Sequence, residues 1–127
     1  MIKKLFVYLQ VYNIDGDVKF SVDNAKHILF KNELWEIELE HDISTTSRFK
    51  INLTENLGSQ SHLIIKDVVL DGVKLHNLDT WGKYIVDGEE NPLSTYGYMN
   101  RPGYYILNIH QSSLVHNYIS YFQSRCK

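Results

Sequence analysis

The chain has 127 residues, a formal charge of −2 and 43% hydrophobic residues. That is enough apolar material for one core in a single domain over residues 1–127, and too little basic charge for a general nucleic-acid binder. Its one cysteine, Cys126, excludes an internal disulfide or a zinc site built on cysteines, so stability must come from packing, which suits a reducing, cytoplasmic setting. No apolar run approaches the ~20 residues of a membrane-spanning helix. The opening Met-Ile-Lys-Lys-Leu-Phe-Val-Tyr-Leu reads as a first strand rather than an export signal, because Gln10 interrupts it and no small-residue cleavage site follows.

Residues 5–14 are rich in β-branched and aromatic side chains and predict a strand. Asp15-Gly16-Asp17 reads as a turn in which Asp-Gly supplies positive φ, with Val18, Phe20 and Val22 alternating on the returning strand. A short apolar run at 27–30 leads into Leu34-Trp-Glu-Ile-Glu-Leu-Glu-His41, the clearest alternation in the chain. Side chains on a strand point alternately to opposite faces, so Trp35, Ile37 and Leu39 define a dry face and Glu36, Glu38 and Glu40 a wet, acidic one. Phe49, Ile51 and Leu53 alternate after a polar stretch at 41–47; if these two strands form a hairpin, Lys50 lies near a glutamate.

After a loop centred on Gly58, residues 62–70 are almost continuously apolar, the pattern of a strand covered on both faces. Asp71-Gly72, between Leu70 and Val73, is the strongest hairpin turn in the chain. A short strand is expected from 81 to 86, an acidic loop at 87–92, and an extended aromatic segment at 96–99. Asn100-Arg101-Pro102-Gly103 reads as a type II turn before a last strand at 104–110. Ser112 or Ser113 can cap a helix whose apolar residues Leu114, Val115, Tyr118, Ile119 and Phe122 share one side, over about 113–123. The expected fold is mainly β: a two-sheet antiparallel β-sandwich, jelly-roll-like, closed by one C-terminal α-helix.

Catalytic and metal chemistry find little footing. The six histidines include no pair at the i, i+2 or i, i+4 spacing that places two ligands on one face. The acidic clusters Asp15/Asp17/Asp23 and Asp87/Glu89/Glu90 lack EF-hand spacing. Glu36, Glu38 and Glu40 share one face and do not straddle a substrate as glycosidase carboxylates do. No nucleophile elbow, phosphate loop or dinucleotide fingerprint is present. The expectation is therefore a protein with no catalytic residues, no metal ligands and no cofactor.

Residues 81–105 stand apart, holding Trp81, Tyr84, Tyr96, Tyr98, Tyr104 and Tyr105 together with Met99, Asn100 and Arg101. Tyr, Trp, Met and Arg are enriched at protein interfaces. Flat rings beside amides and carboxylates also suit a sugar, the rings covering its C–H face and the polar groups taking its hydroxyls. Tyr104 and Tyr105 are adjacent on a strand and must face opposite ways. The candidate binding residues are Trp81, Tyr96, Tyr98, Met99, Arg101 and Tyr104.

The segment Leu63-Ile-Ile-Lys-Asp-Val-Val-Leu-Asp-Gly-Val-Lys-Leu75, with the alternating strand that carries Trp35, resembles the β-sandwich of carbohydrate-binding modules. The resemblance covers the middle half of the chain. Such modules are usually secreted and appended to enzymes, whereas this chain is expected to stand alone and unsecreted, as small sandwiches do among virus and phage accessory or virion proteins. The leading expectation is a non-enzymatic structural or assembly protein of a phage particle, in the host cytoplasm or the virion, that binds protein partners, copies of itself included, through its aromatic surface. The alternatives are a sugar-binding module that uses the same rings, and a small inhibitor that meets a basic host protein with its glutamate face. Neither nucleic acid nor a membrane is an expected partner.

Overall fold

Alternating burial organises the chain from its first strand. In β1 (Ile2–Tyr12), Leu5, Val7 and Leu9 are completely enclosed while Phe6, Tyr8 and Gln10 are half-buried on the other side. The computed structural model describes residues 2–75, 82–91 and 97–109. Within them follow β2 (Val18–Val22), β3 (His27–Lys31), β4 (Leu34–Asp42), β5 (Ser47–Asn56), β6 (His62–Leu70), β7 (Val73–Lys74), β8 (Lys83–Val86), β9 (Glu89–Glu90), β10 (Tyr98–Met99) and β11 (Gly103–Ile109). One sheet has the order β10-β6-β1-β4-β3, with β7 also paired to β6; the other runs β2-β5-β11-β8-β9. Every pairing is antiparallel.

The inner faces of both sheets supply one hydrophobic cluster, with Leu5, Val7, Leu9, Ile37, Leu39, Leu63 and Leu70 from the first and Ile51, Leu53, Tyr84, Tyr105 and Leu107 from the second. This is the mainly-β, two-sheet antiparallel sandwich expected from the alternation. The helix expected over 113–123 lies outside the described residues.

The hairpin expected at Asp15-Gly16 and the conditional one between residues 34–41 and 49–53 do not form, because the chain changes sheets at both turns. β1 belongs to the first sheet and β2 to the second; the same holds for β4 and β5. Lys50 therefore meets no glutamate of β4, and its ammonium instead lies 4.4 Å from the Tyr104 ring centroid. The nearly continuous apolar run at 62–70 also has a different cause. A bulge opposite Tyr8 and Leu9 leaves Lys66 unpaired and shifts the phase. Leu63 and Ile65 before it, and Val68 and Leu70 after it, all face inward, so the strand is covered fully on one face only.

The Asp71-Gly72 hairpin forms as expected, with φ of 50° and 77°. Gly16 serves another purpose than positive φ: a Cβ there would come within 2.5 Å of the Gly58 nitrogen, and one on Gly58 within 2.0 Å of the Asp15 carboxylate. The two loops touch backbone to backbone, and Asp15 locks them together. Its carboxylate accepts hydrogen bonds from the Ser59 hydroxyl (2.8 Å) and the amides of Ser59 (2.9 Å), Gln60 (3.0 Å) and Ser61 (3.1 Å). The fully enclosed Ser61 hydroxyl accepts from the amides of Ile14 and Asp15 and donates to the Gly16 carbonyl at 2.7 Å. Gly103 begins β11 without the positive φ a type II turn requires, and its value lies in close approach, since a Cβ on it would sit 2.3 Å from the Ile85 carbonyl oxygen.

The Ser59 hydroxyl and the amides beside it hold the Asp15 carboxyl well below the usual carboxylate range. A folded-state value lowered in this way stabilises the fold fully above the unfolded carboxyl value of about 3.9, and that contribution disappears as pH falls towards the folded value. Asp15→Asn is expected to lower the melting temperature at pH 7, with the gap to wild type narrowing steadily as pH falls from about 4 to 2; a gap that stays constant in melting curves down to pH 2 would contradict the lock. A second expectation concerns the β3–β4 turn, where Asn32 and Glu33 have φ of 54° and 66°. A left-handed conformation costs a non-glycine residue about 1–2 kcal/mol, part of which glycine returns as chain entropy. Glu33→Gly should therefore raise stability by about 0.5–1 kcal/mol in urea unfolding, and unchanged or lower stability would show that no strain resides there.

Candidate functional site

Burial of Leu5, Val7 and Leu9 turns Phe6, Tyr8, Gln10 and Tyr12 onto the outer face of the first sheet. Their neighbours are set by register. Phe6 lies between Glu38 and Val69, Tyr8 between Glu36 and Asp67, Gln10 beside Ile64, and Tyr12 beside His62. Tyr98 enters from β10 opposite Ile64. The result is a surface on which rings alternate with carboxylates across four strands.

Three of the rings stack in a row. The Tyr12 and His62 centroids are 4.6 Å apart at 24°, and those of His62 and Tyr98 are 4.7 Å apart at 27°. His62 Nδ1 lies 2.8 Å from the Gln60 carbonyl oxygen. A carbonyl only accepts, so Nδ1 carries a proton and the ring is held in one orientation. The Tyr12 hydroxyl donates to Gln10 Oε1 at 2.7 Å. The bulge turns Lys66 towards the same row, its ammonium 6.0 Å from the Tyr12 centroid. Phe6 and Tyr8 continue the aromatic line along β1, 6.5 Å apart and near-parallel.

Carboxylates surround the rings. Partial burial raises the Tyr8 phenol above its ordinary value, reinforced by its hydrogen bond to Glu36 and by the charges of Glu36 and Asp67. The phenol therefore stays protonated and serves as a donor. Glu38 pairs loosely with Lys4 at 3.7 Å, and Asp67 with Lys74 at 2.8 Å. These pairs are solvent-exposed to differing degrees and position side chains more than they stabilise the fold.

Of the sequence-predicted residues that are described, Tyr98 is the one this surface contains. Met99, its neighbour, faces inward opposite Leu63 and is completely buried, so the expectation that it contributes to a surface is corrected: alternation sends consecutive residues of β10 to opposite faces. Tyr104 lies half-buried on the outer face of the other sheet, under Lys50, while Tyr105 fills the core. Arg101 is exposed, 3.6 Å from Asp87. Its backbone is held by Tyr84, whose buried hydroxyl donates to the Arg101 carbonyl and accepts from the Arg101 amide at 2.8 Å. Asn56 anchors the same turn by donating to the Asn100 carbonyl at 2.7 Å. Trp81 and Tyr96 lie outside the described residues. Tyr98 and Tyr104 thus belong to opposite faces of the sandwich.

Tyr12, Gln10 and His62 were not candidates in the sequence. Their proximity comes from pairing of β1 with β6, which joins residues about fifty positions apart; the available signal was the polar-aromatic alternation within residues 5–12. Among the described residues, no three His, Cys, Asp or Glu side chains gather as a metal site. His41 is interior, its Nδ1 2.9 Å from the Ser47 hydroxyl and its ring edge-on to Phe49, and burial lowers its pKa despite nearby Asp42.

No protein-family model and no curated protein matches the chain. Two solved structures are similar to it. One is the carbohydrate-binding module vCBM60 in complex with galactobiose, with 10% identity, 84% of this chain and 99% of that one covered, and a TM-score of 0.48. The other is the selenomethionine form of vCBM60, described with two families of calcium-dependent carbohydrate-binding modules, at 9% identity, 83% and 89% coverage, and a TM-score of 0.46.

Proposed function

We propose that this protein is a non-catalytic binding module that takes a neutral oligosaccharide on the outer face of its first sheet. The observation that carries this reading is the ordered row Tyr12–His62–Tyr98 beside Gln10, Glu36 and Asp67. Sugar rings have an apolar C–H side and a hydroxyl rim. The solvent-facing edges of the row and the faces of Tyr12 and Tyr98 turned away from His62 match the first, and fixed acceptors such as carboxylates and an amide oxygen match the second. The rings already sit in a packed row and the His62 orientation is fixed, so little side-chain freedom is lost on binding.

Charge narrows the ligand. Glu36, Glu38, Glu40 and Asp67 share this face, with Lys4, Lys66 and Lys74 at its margins. A uronate or sulfated glycan would bring like charge against the carboxylates, which favours neutral sugars. The protein-partner reading of the Tyr98 and Tyr104 surface is weaker, because no single flat partner reaches both faces.

A neutral-glycan array followed by calorimetry tests the reading. Saturable binding is expected. Tyr12→Ala and Tyr98→Ala should each weaken it at least tenfold, about 1.4 kcal/mol, with the fold intact by circular dichroism, while Tyr104→Ala on the other sheet leaves it unchanged. Failure of every neutral glycan to bind, or equal binding by the three variants and wild type, would remove the assignment.

A further inference from the structure

The first sheet ends at β3, and no described strand pairs with that strand's far side. All five of its residues are exposed, with Ile28, Leu29 and Phe30 keeping 47%, 54% and 57% of their surface in solvent. Natural sheets blunt or cover an apolar edge of this kind, since its unpaired N–H and C=O groups are a template for another strand. We infer that β3 pairs antiparallel with β3 of a second copy of this chain, about a two-fold axis at Leu29.

The backbone selects that register. Lys31 and Leu34 flank a two-residue turn, which makes them a hydrogen-bonded pair. Bonding alternates along an antiparallel ladder, so Leu29 and His27 also bond to β4, while Ile28 and Phe30 aim their N–H and C=O groups at the open edge. Pairing centred on Leu29 sets Ile28 opposite Phe30 of the second copy, twice over, and closes four backbone hydrogen bonds. An axis at Ile28 or at Phe30 closes only two between these residues.

The side chains fit the same arrangement. Ile28 and Phe30 lie on the side of the sheet that carries Trp35, with the Phe30 and Trp35 rings 4.9 Å apart and Phe20 reaching Trp35 from the second sheet at 5.5 Å. Pairing would continue this apolar row into its copy. On the opposite side, cross-strand order places Lys31 of one copy next to His27 and in line with Glu38 of the other. Each lysine thus lies on the side of the sheet that carries Glu36 and Glu38 of its copy, with His27 between, so the sign of the charges and the apolar contact favour one and the same register.

Sedimentation velocity of the full chain over a concentration series tests the inference. A species of 14.9 kDa at low concentration should give way to one of twice that mass. Leu29→Lys sets two cations face to face on the axis, and Ile28→Pro removes an N–H that faces the open edge and not β4. Each should weaken dimerisation at least tenfold without changing far-ultraviolet circular dichroism, and the Ile28 and Phe30 amides should gain hydrogen-exchange protection only in concentrated wild type. Tyr12→Ala and Tyr98→Ala should leave the dimer unchanged, which separates this result from the glycan assignment. A monomer at every concentration up to the millimolar range, including one in which residues 110–127 of the same chain cover the strand, overturns the inference. A dimer indifferent to both edge substitutions does so as well.

Discussion

A strand cannot send neighbouring side chains to the same face, and β1 is where this constraint governs the molecule. It lies between β4 and β6, so both its edges are bonded and its orientation is fixed by two registers at once. Enclosing Leu5, Val7 and Leu9 contributes on the order of 1.5–3 kcal/mol per side chain before the opposing chain entropy. No rotation that exposes them is competitive. The same geometry presents Phe6, Tyr8, Gln10 and Tyr12 to the outside as a fixed row. The outer surface is therefore a consequence of the core, and its precision derives from the core's.

Local pattern carried most of the information about this fold, and its failures have identifiable causes. The alternation at Trp35–Glu40 was readable because Ile37 and Leu39 are fully enclosed while the glutamates stay on the wet face. Asp71-Gly72 was readable because its two positive φ values require those residue types. Which sheet a strand joins is not a local property. Asp15-Gly16 has the composition of a hairpin turn, yet the chain crosses to the other sheet there, because Asp15 is committed to the amides of residues 59–61. The run at 62–70 misled for another reason: a single unpaired residue, Lys66, superposes two alternating phases into what looks like continuous hydrophobicity.

The aromatic concentration at 81–105 shows why composition and surface are different things. Tyr84 and Tyr105 are wholly interior, and burial raises both phenols above the ordinary tyrosine range. Tyr84 spends its hydroxyl on the Arg101 backbone, anchoring the turn that feeds β11. Tyr98 and Tyr104 emerge on opposite faces. The described members of a cluster in sequence are thus divided among core, anchor and two surfaces, while the cluster in space, Tyr12–His62–Tyr98, is drawn from three distant segments. Tyr98 belongs to both, which is why one residue of the site was visible in advance.

The order β10-β6-β1-β4-β3 places the ring row at one end of the sheet and the open apolar edge at the other. A ligand over β1, β6 and β10 does not obstruct β3, and a strand added to β3 does not reach the rings. Joining two sheets edge to edge would also keep both outer faces on one side of a continuous sheet, with β6 and its copy seven strand spacings apart, about 34 Å before twist at ~4.8 Å per strand. Two weak sites held at a fixed separation engage an extended or repetitive ligand far more tightly than either alone, because the second contact becomes intramolecular. On the proposed reading, a half-exposed face that takes one short sugar gains from such duplication. The exposed edge and the ring row are independent in structure, and the proposed dimerisation and glycan binding together would couple them in function.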